Sequence, residues 1–267
     1  MCAEGRSSVQ YDHRKNDHSV EGAREALRAL FGRDLPPSLL DIGCGTGTWL
    51  RAALDAGVAD VLGVDGIEVP ADLLQVPRAM VRMADLRRPI DVGRRFDLLL
   101  CLEVAEHLEP ECAETLIDTL VAHSDHILFS AAVPGQAGDH HMNCRWPVYW
   151  QQLFNARGFA CDDGPRWAIW EKQRIEPWYR QNMMLAVRDP ARAGEEPRIR
   201  PVIHPDMLGI MLSPALEAND ALIEHGSKPA RWYLMVPLKA AAAKIRRRAA
   251  RGRGTLPLAQ VQSLPPS

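Results

Sequence analysis

Asp41 stands two residues ahead of Gly43, Gly45 and Gly47 in the run LLDIGCGTGTW, residues 39–49. Glycine at alternate positions lets the backbone turn through positive φ and lets a ligand lie against the main chain with no Cβ in the way. The run therefore reads as a nucleotide-type binding loop, and spacing decides among nucleotides. A dinucleotide fingerprint, G-x-G-x-x-G, would need glycine at Thr48 or Leu50. A phosphate P-loop would need Gly-Lys-Ser/Thr, and no lysine follows these glycines. Further along, Asp139, His140, His141 and Asn143 form a second polar cluster. A histidine, with an ordinary pKa near 6.5, is suited to removing the proton of a hydroxyl that is about to attack an electrophile. His140 and His141 are adjacent, so in an extended loop they point apart and one of the two is the candidate catalytic base. Asp139, His140 and His141 lack the i, i+4 spacing of a helical metal site, and no metal is expected there.

These residues have to be positioned by strands and helices, and the apolar pattern supplies them in alternation. A helix is expected over 21–31, with Ala26, Leu27, Leu30 and Phe31 on one face, stopped by Gly32 and Pro36-Pro37. The buried strand at 39–42 leads through the glycines into a helix over 48–56. Strands follow at 61–66, ending in Asp65 and Gly66, and at 79–86, with Asp85 at its end. The nearly unbroken apolar run 96–102 is what a central parallel strand covered on both faces requires. Glu103, Glu106 and His107 follow it. A helix over 111–122, a strand over 126–135, a helix over 148–156 and strands at 166–169 and 183–187 complete the reading. Strand and helix in turn imply an α/β fold with a doubly wound, mostly parallel sheet and helices on both faces. In such a sheet ligands bind at the carboxyl ends of the strands, where Asp65 is placed to accept hydrogen bonds from ribose hydroxyls.

Composition agrees with a globular chain of one α/β domain and an appendage: 267 residues, 46% hydrophobic and 25% charged. The division expected is an N-terminal arm at 1–20, the main domain at 21–190, a helical appendage at 191–236 and a basic tail at 237–267. The six cysteines contain no CxxC pair, so neither a disulfide framework nor a structural zinc site is indicated, and reduced thiols in a cytoplasmic protein are expected. No apolar run approaches the roughly 18 residues of a membrane span. The polar start MCAEGRSSVQYDHRKND has no signal-peptide core. Of the 32 basic residues, nine lie beyond Glu224, where there is no acidic one. The first 224 residues thus set 23 basic against 34 acidic side chains. An acidic body is not the footprint of a nucleic-acid-gripping domain. The tail could contact an anionic partner, but its apolar face is mostly alanine, which favours a solvated helix over a membrane anchor.

The pattern [DE]-x-G-x-G-x-G, with FDLLLCLEVAEHL (96–108) downstream, resembles the class I S-adenosylmethionine-dependent methyltransferases, in particular the ubiquinone-biosynthesis type and related small-molecule enzymes. The resemblance covers about 20–190. It implies a Rossmann-like sheet of seven strands and S-adenosyl-L-methionine as cofactor. It also implies a cofactor site made of Asp41, Gly43, Cys44, Gly45, Gly47, Asp65, Gly66, Asp85, Leu86, Leu102, Glu103 and His107. Asp85 would receive the adenine amino group, and His107 would support the pocket. A loop after the fifth strand would overlook the sulfonium, which places His140 and His141 where an acceptor would sit. The segment from 140 resembles a bacterial subgroup's Gly-His-x-Asn-Glu-Gln-Trp-Pro run, except that Asn143-Cys144-Arg145 replaces Asn-Glu-Gln. The resulting expectation is methyl transfer to a small-molecule or glycan-like acceptor, at a hydroxyl oxygen. N- or C-methylation on the same scaffold and a non-catalytic cofactor-binding domain are the alternatives. The first helix would close over the cofactor, with Tyr11 touching it, while Trp167, Trp170, Trp178 and Tyr179 read as packing.

Overall fold

The computed structural model describes residues 18–223, 226 and 228–251. Seven strands, β1 (Ser38–Ile42), β2 (Asp60–Asp65), β3 (Val81–Met83), β4 (Leu98–Leu102), β5 (His126–Ser130), β6 (Phe159–Asp162) and β7 (Met184–Arg188), form one sheet in the order β3-β2-β1-β4-β5-β7-β6. All neighbours are parallel except β7, which runs antiparallel to both β5 and β6. This is the mostly parallel, helix-covered sheet that the alternation implied.

Successive strand residues face opposite sides, and the core divides accordingly. Leu40, Ile42, Leu99, Cys101, Ile127 and Phe129 pack on one face with Trp150 and Phe154 of α4 (Pro147–Asn155). Leu39, Leu98, Leu100 and Leu128 pack on the other with α1 (Val20–Phe31) and α2 (Thr48–Asp55). The helix α1 begins where Ser19 Oγ accepts the Gly22 N–H at 2.9 Å, and it turns its Ala23, Ala26 and Leu27 face inward. The Ser19 N–H reaches Glu176 at 2.6 Å, tying the helix start to the segment before α6 (Pro177–Asn182).

Several boundaries differ from the sequence reading, each for a local reason. The run 166–169 is not a strand. It lies in α5 (Gly164–Ile169), which Pro165 pre-forms at its first turn. The fully buried Arg166 spends its guanidinium on Asp163 and on the Gln181 and Arg200 carbonyls. The strand expected there is instead Phe159–Asp162, in antiparallel register with β7. The third strand shrinks to Val81–Met83, an edge strand preceded by a 3-10 turn, so Asp85 and Leu86 sit in the loop beyond it. Phe96 makes only an isolated bridge to Ser124, and β4 begins at Leu98. β5 stops at Ser130, and the chain to Gly135 leaves the sheet.

α3 (Ala113–His123) lies between β4 and β5 in the chain. Cys44, Cys101, Cys144 and Cys161 are free thiols, but Cys112 is disulfide-bonded, which corrects the expectation of reduced cysteines throughout. The chain separates into two compact units, one through Leu212 and one from Ser213. α7 (Pro205–Ile223) carries the helical pattern foreseen after the linker, and α8 (Ala230–Arg251) starts earlier than the basic run and continues through Pro237. No helix among the described residues is long and apolar enough to cross a membrane. Tyr11 lies outside the described residues.

Candidate active site

β1 and β4 are adjacent, and from them the sheet is built in opposite directions, so the crevice at their carboxyl ends is the topological switch point. A cavity of about 540 Å³ opens there, within the range of roughly 300–1,000 Å³ usual for ligand sites. Gly43 shows why this loop needs glycine. Its φ is +81°, and a Cβ would fall 2.3 Å from Val104 Cγ2. The turn is held by N–H bonds from Gly43 and Cys44 to the Val64 carbonyl, at 2.7 and 3.2 Å. Gly45 N–H and Ile67 N–H bond the two Asp65 oxygens at 2.7 and 2.8 Å, so the end of β2 braces the loop after β1. Gly47, left-handed at φ +80°, starts α2. It stands outside the cavity wall, whereas Gly43, Cys44, Gly45 and Gly66 line it.

Two acids, Asp41 and Asp65, line the cavity together. Asp41 is buried, and burial, then the neighbouring Asp65, pushes its carboxyl up to about 8. Two carboxyls sharing a desolvated floor are stabilised by any ligand that brings positive charge. Asp85 faces the cavity with Leu86, but its carboxylate is taken by Arg87, with both contacts at 2.8 Å. That hydrogen-bonded pairing holds Asp85 below the usual carboxylate range.

At the end of β4, after Leu102, Glu103 adopts φ +55°, a left-handed conformation uncommon for a residue with a side chain. Its carboxylate accepts Gln136 Nε2 at 2.8 Å and Asn182 Nδ2 at 3.1 Å. Val104 leads into the 3-10 turn Ala105–His107, which puts His107 on the cavity wall and Glu106 beneath it. Burial, then the nearby His141, lowers His107 to about 4. Glu106 is fully buried, and burial, then Glu103, pushes it well above the usual range.

The two candidate bases separate. His140 is exposed with φ +56°, and of the three histidines His107, His140 and His141 only His107 lines the cavity. His141 turns inward, its ring centroid 5.0 Å from that of His107, and its Nδ1 lies 3.1 Å from the Gln136 carbonyl. The structure thus brings the His141 ring to His107, while Asp139 and His140 are exposed and meet the His107 ring through their backbone.

The sequence reading missed other parts of the site. Tyr179, His18 and Trp49 also line the cavity. Tyr179 Oη is 3.0 Å from His18 Nδ1, and the Tyr179 ring stands edge-on to Trp49 at 5.1 Å. Tyr179 thus bounds a ligand site as well as packing. Gln136 and Asn182, which orient Glu103, carry no local signal, since Asn182 is 79 residues from its partner.

A family model described as a methyltransferase domain matches residues 13–163, more than half of the chain. The chain belongs to this methyltransferase family. Among curated proteins it is 40% identical over 89 residues to a dTDP-3-amino-3,6-dideoxy-alpha-D-glucopyranose N,N-dimethyltransferase of Streptomyces fradiae, covering 30% of this chain and 32% of that one. It is 32% identical over 109 residues to a ubiquinone biosynthesis O-methyltransferase of Methylobacterium nodulans, covering 36% and 43% respectively. The matches thus span less than half the length of either relative. A solved sugar N-methyltransferase, KedS8 from Streptoalloteichus sp., shares the fold at a TM-score of 0.52 and 17% identity, over 71% of this chain and 99% of that one. The fold is that of the class I methyltransferases, and the cofactor of this family is S-adenosylmethionine. The residues present fit it: a glycine loop in which a Cβ at Gly43 would collide with Val104, and two carboxyls, Asp41 and Asp65, on the wall of a cavity in which a sulfonium-bearing nucleoside would meet them.

Proposed function

We propose that this methyltransferase methylates a hydroxyl oxygen of a small-molecule or sugar-like acceptor. The observation that supports this reading is the pair of imidazoles at the cavity edge: His107 on the wall beside Glu103, backed by His141. A hydroxyl must lose its proton as it attacks, and an imidazole at the reacting end can accept the hydrogen bond and then the proton. When bound, S-adenosylmethionine supplies an electrophilic methyl group that leaves sulfur with the bonding pair retained on sulfur, as a carbon–oxygen bond forms in line. The chain's own contribution is placement. Asp41 and Asp65 hold the cationic nucleoside side, Glu103 is fixed by Gln136 and Asn182, and Tyr179 with Trp49 closes one wall. His141 replaces the His140-or-His141 pair of the sequence reading, acting beside His107.

N-methylation is the second reading. It is favoured by the amino-sugar N,N-dimethyltransferase relative. An amine needs no strong base once neutral, and Glu103 would orient it. The test offers purified protein and S-adenosylmethionine a matched set of hydroxylated and aminated sugars and phenols, with methylated products identified by mass spectrometry. Oxygen-methylated product, lost in His107→Ala while calorimetric cofactor binding persists, is the expected result. Product on amines alone, undiminished in His107→Ala, overturns the hydroxyl reading in favour of the amine.

A further inference from the structure

We propose that Glu106, His107 and His141 form a binding site for one divalent transition-metal ion at the edge of the cofactor cavity. The three side chains each offer a ligand atom, and these atoms lie within 4.8 Å of one another. An ion of this class holds oxygen and nitrogen donors at about 2.0–2.2 Å, so its donors stand up to about 4 Å apart, and a small closure of the three side chains completes the set.

Two independent observations point to a cation. Glu106 is fully buried, and while its Oε1 accepts the Ala132 N–H at 3.1 Å, its Oε2 receives no donor and its carboxyl meets that of Glu103, another acid. A buried carboxyl oxygen left unmatched is costly, and a metal ion is one of the few groups that offset that cost. The second observation is the tautomer of His141. Its Nδ1 faces the Gln136 carbonyl, which can only accept, so Nδ1 carries the hydrogen and the Nε2 lone pair is left for a ligand. A ligating histidine whose other nitrogen donates to a backbone carbonyl is the usual outer support of a metal site.

The fold spends further residues on this arrangement. The Glu106 carbonyl accepts the Met142 and Asn143 N–H groups at 2.8 and 3.0 Å, pinning the loop that carries His141 to the turn that carries the other two ligands. Gly138 leaves room for the imidazole, since a Cβ there would fall 2.1 Å from His141 Nε2. Two imidazoles and one carboxylate suit borderline ions such as Zn²⁺, Co²⁺, Fe²⁺ or Mn²⁺ better than Ca²⁺ or Mg²⁺. Three protein ligands leave coordination positions for a further oxygen. Because His107 lines the cavity, an acceptor hydroxyl could take one of them and lose its proton more readily, so that in the loaded site the ion, ligated by His107 and His141, replaces the proton-accepting role the imidazole has in the metal-free site. That role rests on the hydroxyl reading, but the site itself does not.

The test uses the full chain, stripped with a chelator and titrated with Co²⁺, reading visible d–d absorbance and metal per chain. One Co²⁺ per chain is expected, with affinity falling at least tenfold in His141→Ala. A loss is also expected in Gly138→Ala, which keeps all three ligands and displaces one. S-adenosylmethionine binding, measured in the same preparations, should persist in both variants and certifies that they are folded. No Co²⁺ uptake at millimolar concentration by intact protein that binds the cofactor overturns the site, as does unchanged affinity in His141→Ala. Co²⁺ binding without methylation of any hydroxylated acceptor leaves the site standing and refutes the hydroxyl reading alone.

Discussion

Asp41→Asn removes a buried ionisable group while keeping its shape. In the native protein burial and Asp65 raise this carboxyl from 3.8 to about 8. The sign follows from proton counting. Between about pH 4 and pH 8 the folded state holds a proton on Asp41 that the unfolded chain has released, so Asp41 makes folding less favourable as pH rises through that window. Each pH unit inside it is a factor of ten, or about 3 kcal/mol between pH 5 and pH 7. Urea unfolding at pH 5, 6 and 7 should show the native protein losing that much more stability than Asp41→Asn, whose asparagine does not titrate. The same linkage acts on the cofactor. A cationic ligand favours ionised Asp41, so S-adenosylmethionine affinity should rise with pH by up to about tenfold per unit and level off above about 8, whereas the variant should bind more weakly and without that slope. Calorimetry across pH 6 to 9 measures this. Parallel stability curves for the two proteins, together with pH-independent affinity in the native one, would refute the claim that Asp41 is a desolvated acid awaiting a cation.

Gly43→Ala should destabilise the fold by about 2–5 kcal/mol, because a left-handed residue with a side chain costs about 1–2 and overpacking against Val104 adds about 1–3. Cofactor binding should fall with it, and both are read by unfolding with and without S-adenosylmethionine. Glu196 gives an opposite pH signature to Asp41. Burial pushes its carboxyl up, but hydrogen bonds from Gln151, Asn155 and Cys161 outweigh burial and bring it down to about 2. Its contribution is therefore full above about pH 4.5 and lost as pH falls toward 2. In thermal melts from pH 6 to 2.5, Glu196→Gln should be less stable near neutrality and lose less on acidification.

How much was legible in the sequence depended on how local each cause was. Strand and helix alternation, the glycine loop, and the acids at Asp41 and Asp65 are set by residue type and short spacing. Positive φ needs glycine, and an apolar run covered on both faces needs no partner to be recognised. The error at 166–169 came from an apolar-looking segment around a buried arginine, whose partners at Gln181 and Arg200 are far along the chain. Sequence alone thus determined the α/β class, the cofactor loop and the identity of the titratable groups near it. Tertiary structure alone decided which of them meet. It turned His141 toward Glu106 and His107 and left His140 exposed, because the Glu106 carbonyl holds the loop by the Met142 and Asn143 N–H groups. It also brought Asn182 and Gln136 onto Glu103, a convergence produced by sheet order rather than by spacing along the chain.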